Sequence, residues 1–367
     1  VLVNPDPAKS LTITLPTGYS RIAGTQDAVT NNGKAVSSVT LGPRDGLVLV
    51  KSAVTSTSST TSTSTSTTST TTAPVPVSAT SSSTYVKPKT ATLLYDSFTN
   101  TARLDLAAKF DWVLLGVWPG MPGASTAVNH IRTKNPDVIL GNYTILSESR
   151  TDIAGVSEKL TTMDWWLRDT SNKRTQWTTA YGAFDVNITP WSRPDANGKR
   201  FPQWKGEFDT TNLFSKFKFD FVFSDTVQMQ TVAADWMRNG TNQDYNDPVV
   251  QKGVRDGHMS YWNTMWSLNP KLGVVANIDM PWLASAEMTG RLQGAFLEGM
   301  MGKSWSMETW NQALMMKRYH DAMARTVGPK WVIFNLYASS PTDYKLIRYG
   351  LATSMMADGF YCPLTTS

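Results

Sequence analysis

Two acidic residues end short apolar runs, where a carboxylate at the end of a buried strand can do chemistry. The run at 221–225 ends in Asp225, and the run at 294–297 is followed by Glu298. Hydrolysis of a glycosidic bond needs two carboxyl groups, one protonated to help the leaving oxygen and one ionised as nucleophile or base. We therefore predict a catalytic pair. A structural alternative stays open, in which each acid bonds backbone amides or an Arg, and spacing alone does not separate retention from inversion.

Amides, acids and aromatic residues end several other apolar runs, and this is the composition of a sugar-binding site. We expect polysaccharide to contact Asp96, Trp118, Trp191, Asn277, Asp279 and Asn335. The count of 14 Trp is high, and a flat indole face can stack on the C–H face of a pyranose. Five of them fall between the third and fourth predicted strands: Trp165, Trp166, Trp177, Trp191 and Trp204. Trp165 and Trp166 are more typical of core packing. For each of the other three, packing in the core and contact with sugar in a lid over the barrel mouth stay equally open.

Eight short apolar runs in residues 87–367 have the length of buried strands. They span residues 92–95, 112–117, 138–140, 219–223, 273–276, 294–297, 331–334 and 359–361. Strands that alternate with helices imply a parallel sheet covered on both faces. The predicted fold class is α/β, a closed (β/α)8 TIM barrel, which brings the strand ends together at one mouth. An open doubly wound sheet is the alternative, but no Gly-rich loop joins a strand to a helix.

One predicted helix, over residues 305–326, carries a single apolar face. Its members are Trp310, Leu314, Met315, Tyr319 and Met323. Steps of four residues, with Leu314 and Met315 adjacent, are those of one helical face, so we expect this face to pack against the barrel.

Residues 1–51 carry a different pattern, typical of a small all-β segment. Runs rich in Leu, Val, Ile and Thr at 11–15, 38–41 and 46–50 alternate with turn sequences such as Asn31-Asn32-Gly33. We interpret the segment as an incomplete β-sandwich whose other strands come from elsewhere in the assembly. The chain opens at Val1 without Met, so we expect a processed or excised segment.

Residues 52–86 carry no charged side chain and include an unbroken run of 18 Ser and Thr. Such a segment cannot bury enough apolar surface to offset its ordering entropy, so we predict a linker. Ser/Thr tracts followed by Pro are typical of O-glycosylated stalks of secreted and surface proteins, and an unmodified spacer is the alternative. The candidate O-glycosylation sites are Thr55, Thr57, Thr60, Thr61 and Thr71. The expected location is extracellular or at the cell surface.

The remaining composition argues against several other classes of protein. The net charge of +5 is scattered without a basic stripe, so nucleic acid is not an expected partner. No apolar run approaches the ~20 residues of a membrane span. Cys362 is the single cysteine, and His130, His258 and His320 lack metal-ligand spacing, so we expect neither a disulfide nor a metal site. Without a phosphate loop, we also expect no cofactor.

Six motifs occur together over residues 91–362. They are Tyr95-Asp96-Ser97-Phe98, Trp165-Trp166-Leu167-Arg168-Asp169, Asn187-Ile188-Thr189, Phe223-Ser224-Asp225, Phe296-Leu297-Glu298-Gly299 and Ala357-Asp358-Gly359-Phe360. In combination they resemble a glycoside-hydrolase-like family of bacterial (β/α)8 barrels that carry a C-terminal β-sandwich. The resemblance implies that Asp225 and Glu298 occupy the positions of that family's acids.

The order of the parts departs from that family. The closing strands of its sandwich resemble Val1-Leu2-Val3-Asn4-Pro5, Tyr19-Ser20-Arg21-Ile22-Ala23-Gly24 and Pro43-Arg44-Asp45-Gly46, which here precede the barrel. Three explanations compete: a circular permutation, a cut through tandem copies, or a subunit that gives its N-terminal strands to its neighbour. The third would generate a head-to-tail filament, because a heterologous interface between copies forms an open filament when its rotation does not close a ring.

Two functions of different classes therefore remain open. The first is an extracellular hydrolase that acts on or binds polysaccharide through the predicted acid pair. The second is a structural subunit of an extracellular glycosylated filament or surface layer. Such a subunit would self-associate through residues 1–51 and would reuse the barrel as a scaffold.

Overall fold

The computed structural model describes residues 1–51, 87–96, 98–228 and 233–365 of the 367-residue chain. The predicted O-glycosylation sites between residues 55 and 71 lie outside the described residues. The chain divides into two compact units, Val1–Pro88 and Lys89–Ser367. Each unit has a hydrophobic core of its own.

The first unit is built from short antiparallel strands, as its sequence pattern predicts. Strands β1 to β6 span Leu2–Asn4, Leu11–Thr14, Tyr19–Arg21, Ser38–Leu41, Asp45–Leu47 and Leu49–Lys51. They form three two-stranded sheets, in which β1 pairs with β5, β2 with β4, and β3 with β6. Gly18 has a φ of 91° in the turn before β3, a conformation that Gly adopts without strain. The buried core consists of Val39, Leu41 and Leu47, which is small for a segment of this length.

The second unit is a nearly closed parallel barrel of eight strands with helices, which confirms the predicted fold class. Its strands are β7 (Ala91–Leu94), β8 (Trp112–Leu115), β9 (Ile139–Ile145), β12 (Phe221–Asp225), β13 (Gly273–Asn277), β14 (Gly294–Met301), β15 (Trp331–Ala338) and β16 (Phe360–Thr365). They follow chain order around the sheet, and a separate small antiparallel pair, β10 (Glu148–Arg150) and β11 (Ala183–Asp185), lies between β9 and β12 in the chain. The ring closes where Tyr361 N donates to Lys89 O at 2.9 Å.

Helices connect the strands on the outside of the barrel. They are α1 (Thr101–Ala107), α2 (Ala124–Lys134), α3 (Val156–Thr162), α4 (Phe201–Asp209), α5 (Pro248–Leu268), α6 (Met280–Leu283), α7 (Met307–Trp310), α8 (Gln312–Arg325) and α9 (Tyr344–Ser354), with a π-helical turn at Thr210–Phe214. In α5, Asp247 caps the N-terminus by accepting from Val249 N at 2.8 Å, and Pro248 takes the first helical position, which needs no N–H. Among the described residues, no helix combines the length and the apolarity needed to cross a bilayer.

The predicted helix over residues 305–326 is two helices, and its apolar face is divided. Asn311 has an extended φ of −165° and caps α8 by accepting from Leu314 N at 3.0 Å. This break turns Trp310 and Leu314 outward, so that their exposed fractions are 69% and 48%. Met315 and Tyr319 are buried as expected.

The interior of the barrel is filled by aromatic side chains from facing strands. Trp112 stacks on Phe221 with ring centroids 4.5 Å apart, and Trp331 packs on the same Phe at 5.6 Å. Gly141 makes room for this layer, since a Cβ at its position would lie 2.1 Å from the Phe221 ring. Cys362, on the last strand, is fully buried in this core. The filled interior leaves ligand space at the strand ends, as in other parallel barrels.

Candidate active site

Neighbouring barrel strands bring polar side chains together at their carboxyl ends. Asp225 ends β12, Asn277 ends β13, and Glu298 lies in β14. All three line a cavity of about 880 Å³ at the mouth of the barrel. The cavity is large enough for several sugar rings, since small-molecule sites usually occupy about 300–1,000 Å³.

A single amide joins the two predicted catalytic acids. Asn277 Nδ2 donates to Asp225 Oδ1 at 2.9 Å and to Glu298 Oε2 at 2.8 Å. The two N–H bonds of one amide nitrogen diverge by about 120°, so two linear hydrogen bonds of this length would place the accepting oxygens about 5 Å apart. Asn277 was predicted as a substrate-binding residue, and here it holds both carboxylates.

The second oxygen of each acid accepts a hydrogen bond from a tyrosine that the sequence reasoning missed. Tyr143 Oη donates to Asp225 Oδ2 at 2.7 Å, and Tyr337 Oη donates to Glu298 Oε1 at 2.8 Å. Burial raises the pKa of both phenols, and the neighbouring carboxylates raise it further. Both tyrosines therefore stay protonated as donors. Tyr95 packs edge-on against Tyr143, at 5.5 Å between ring centroids, and supports that ring.

A bulge in β14 sets the position of Glu298. The pairing register of β14 with β15 shifts between Leu297 and Met301, and Gly299 adopts a φ of 59°. Asn335 stabilises this bend, since its Oδ1 accepts from Gly299 N at 2.9 Å while its Nδ2 donates to Cys362 O at 3.2 Å. Asn335, a predicted substrate-binding residue, is completely buried and holds the backbone beside the acid.

Of the four other predicted binding residues, one lines the cavity and three do not. Trp118 is 52% exposed and lines the cavity. Asp96 is exposed and pairs with Arg103 at 2.7 Å. Asp279 caps α6 by accepting from Trp282 N at 3.1 Å. Trp191 packs on α5, where its ring occupies the space that a Cβ of residue 253 would need.

Aromatic side chains surround the mouth of the cavity. The set comprises Trp118, Trp177, Tyr181, Trp305 and Trp310. Trp310 was predicted as core, and Trp305 did not stand out in the sequence; no strand-end position marks either of them. Trp165 and Trp166 are buried, as the sequence indicates. The arrangement supplies flat apolar faces above a polar floor, which suits sugar rings.

A third carboxylate lies on the cavity wall. Glu148, in β10, is 8% exposed and accepts a short hydrogen bond from Trp177 Nε1. Burial raises the pKa of Glu148. Among the described residues no group of three His, Cys, Asp or Glu side chains could hold a metal ion.

The nearly closed parallel barrel is also the fold of solved glycoside hydrolases. The glycoside hydrolase domain of PelA from Pseudomonas aeruginosa superposes with a TM-score of 0.50 at 12% identity, over 76% of this chain and 95% of that domain. Eubacterium rectale Amy13B gives 0.48 at 8% identity, over 75% of this chain and 65% of its own. The α-N-acetylgalactosaminidase NagBb from Bifidobacterium bifidum gives 0.45 at 9%, over 73% and 45%.

The similarity to the PelA domain supports the class of the fold and not an activity, because the identity is 12%. Neither a family model nor a curated protein sequence matches the chain. The resemblance to a family of glycoside-hydrolase-like barrels is confirmed as far as the barrel is concerned. The permuted order of the sandwich strands stays a prediction.

Proposed function

We propose that the protein is an extracellular glycoside hydrolase that cleaves polysaccharide with Asp225 and Glu298. The observation that carries the proposal is the shared amide of Asn277, which contacts one oxygen of each acid at 2.9 and 2.8 Å. Ideal hydrogen bonds from this amide would leave about 5 Å between the bonded oxygens, which supports the retaining mechanism, whereas inverting enzymes need about 6.5–9.5 Å between carboxyl groups to admit water. The extracellular location rests on the composition of residues 52–86.

Asp225 is the nucleophile in this mechanism. It is half-buried at the end of β12, and two neutral donors, Tyr143 and Asn277, stabilise its ionised form. Attack on the anomeric carbon would form a covalent glycosyl-enzyme intermediate. Neutral donors hold the carboxylate in place without neutralising its charge.

Glu298 is the general acid and then the base. Its side chain is exposed to the cavity, so it can exchange a proton with the leaving oxygen and afterwards with water. When Glu298 is protonated, the Tyr337 oxygen can accept that proton's hydrogen bond, and when it is ionised the same hydroxyl donates to it. Tyr337 can thus keep a hydrogen bond to Glu298 in both protonation states of the acid.

The test is an assay of Asp225→Asn and Glu298→Gln against a panel of polysaccharides. Removing either acid should lower turnover by about 10²–10⁴-fold. NMR of the first-formed sugar should show retention of the anomeric configuration. The matched controls are Asp256→Asn and Glu158→Gln, which are the same changes at helix positions outside the cavity lining, and they should leave turnover unchanged. A wild-type chain that cleaves no glycan of the panel, or acid variants with full activity, would contradict the proposal.

A structural role as a filament subunit is the second candidate, and the first unit favours it. Each of its three described sheets has two strands. The second edge of β3 is bonded to residues 34–36, since Arg21 N donates to Lys34 O and Val36 N donates to Tyr19 O, both at 2.9 Å, whereas the other described strands are paired in a sheet along one edge. Isolated two-stranded sheets are marginally stable, and an unpaired edge is a template for strand addition. Residues 1–51 would then be completed by, or would complete, a second copy.

Light scattering and negative-stain electron microscopy of the full chain test this second candidate. Head-to-tail filaments whose length grows with protein concentration would support it. A chain that stays monomeric across the accessible concentrations would eliminate it and would leave the hydrolase proposal untouched.

A further inference from the structure

Arg318 is a charged side chain of the candidate active site without a hydrogen-bond or ion-pair partner in the described part of the chain. It lines the cavity from α8, and its Nε is buried without an acceptor. Arg132 is a useful contrast, since its Nε also lacks a partner but its Nη groups donate to Val138 O, Lys218 O and Asp220 Oδ2 at 2.9, 2.6 and 2.9 Å. The N–H donors of Arg318 are therefore available to a ligand bound in the cavity.

The other cationic groups on the cavity wall are already paired. Arg150 donates to Asp152 at 2.9 and 2.5 Å, and Lys205 Nζ donates to Asp209 at 2.6 and 2.5 Å. The three other acids on the wall accept from the Tyr, Asn and Trp side chains described above. Among the described residues, Arg318 is thus the cation of the cavity wall that has no hydrogen-bonded or ion-paired partner.

The position of Arg318 in α8 directs its side chain to the barrel mouth. A helix that follows a barrel strand has its N-terminus at the mouth, and helical side chains tilt toward the N-terminus. Trp310, which precedes α8, lines the same cavity. Burial lowers the pKa of the Arg318 guanidinium, and Asp279 partly offsets that shift. A guanidinium nevertheless remains charged throughout the range in which enzymes work.

We infer that Arg318 binds an anionic substituent of the substrate, so that the cavity takes an acidic polysaccharide carrying carboxylate or sulfate groups. This inference rests on the proposed function, because it assumes that the cavity holds sugar. Carboxylates and sulfate esters offer two oxygens to the planar guanidinium, whereas a neutral hydroxyl leaves the buried charge uncompensated.

Calorimetric binding to the intact full chain tests the inference without requiring turnover. The probes are galacturonic and glucuronic acid trisaccharides, their carboxyl-reduced neutral counterparts, and 6-sulfated galactose trisaccharides. The wild-type chain should bind at least one anionic probe about tenfold or more tightly than its neutral counterpart, the gain of one charge-assisted hydrogen-bonded contact. The carboxylate and sulfate arms identify which anion is preferred.

Arg318→Gln should abolish this preference, and Arg318→Lys should keep part of it. Arg150→Gln is the matched control, because Arg150 lines the same cavity but is paired with Asp152. It should leave the preference unchanged, and thermal melts should show that all variants are folded. Equal binding of anionic and neutral probes, a preference that survives Arg318→Gln, or no binding of any probe would overturn the inference. Anion-selective binding without hydrolysis would instead sink the proposed function alone.

Discussion

At the scale of single residues, neutral donors position the two candidate catalytic acids. Asp225 and Glu298 have two described hydrogen-bond donors each, and every donor is an amide or a phenol. A cation at the same positions would fix the charge more strongly but would oppose protonation of the acid. Neutral donors therefore hold the geometry of both acids without adding a compensating charge.

The tyrosines give a prediction at this scale. Tyr143→Phe and Tyr337→Phe each remove one donor to a carboxylate, a contact of about 1.5–3 kcal/mol. Each change should lower kcat/KM by about ten- to a hundredfold in steady-state assays, with little change in melting temperature. Tyr344→Phe, at the start of α9, is the control for the loss of a phenol. Full activity in both variants would mean that the hydroxyls do not position the acids.

At the scale of elements, the strands continue beyond the apolar runs that reveal them. The runs at 138–140 and 331–334 end where polar residues begin, yet β9 continues to Ile145 and β15 to Ala338. Asn142 can remain inside because it donates to Val117 O and accepts from Val117 N, both at 2.9 Å. A hydrophobic pattern does not report such buried pairs, so strand ends are underestimated.

This explains which parts of the site could be predicted from the sequence. Asn277 and Glu298 follow apolar runs directly and Asp225 follows one after a single serine, and their meeting at the barrel mouth follows from the fold. Tyr143 and Tyr337 lie inside the hidden extensions of their strands. The sequence predicts Asn335 as a substrate-binding residue, whereas its side chain bonds the backbone of Gly299 in the β14 bulge. The sequence pattern of the strand does not reveal this bulge.

The buried histidine of α5 gives a prediction at the scale of an element. His258 is fully buried, and burial lowers its pKa to about 3. An unfolded His titrates near 6.5, so below that pH the unfolded state binds the extra proton and stability falls as pH falls toward 3. The loss attributable to this group between pH 7 and 4 is at most about 3 kcal/mol.

Urea unfolding of the wild type and of His258→Gln at pH 7 and 4 measures this contribution. The variant is expected to be less stable at pH 7, since it disturbs packing against Trp262, but to lose less stability on acidification. His320→Gln, the same change at an exposed position, should keep the wild-type pH dependence. Identical losses in the wild type and His258→Gln would exclude His258 as an acid-sensitive group.

At the scale of the whole molecule, the two units differ in the size of their cores. The first has three fully buried apolar residues, whereas the barrel core includes the stacked aromatic layer around Phe221. Because stability grows with buried apolar area, the first unit should be the weaker one.

Leu47→Ala tests whether the units behave as separate domains. The substitution removes one of three core side chains and typically costs about 2–5 kcal/mol. In calorimetry of the full chain it should abolish or shift a minor transition and leave the main transition in place. Leu268→Ala, at an exposed position, is the control. A main transition that shifts with Leu47→Ala would show that residues 1–51 contribute to the stability of the barrel.

The buried cysteine of the last barrel strand is a built-in chemical probe of opening of the barrel. Cys362 is the single thiol of the chain, and burial raises its pKa to about 12, so the folded state offers almost no reactive thiolate. Alkylation can proceed only when β16 leaves the ring. The rate at which a thiol reagent labels the native protein therefore reports, without any engineered probe, how often the barrel opens at its seam.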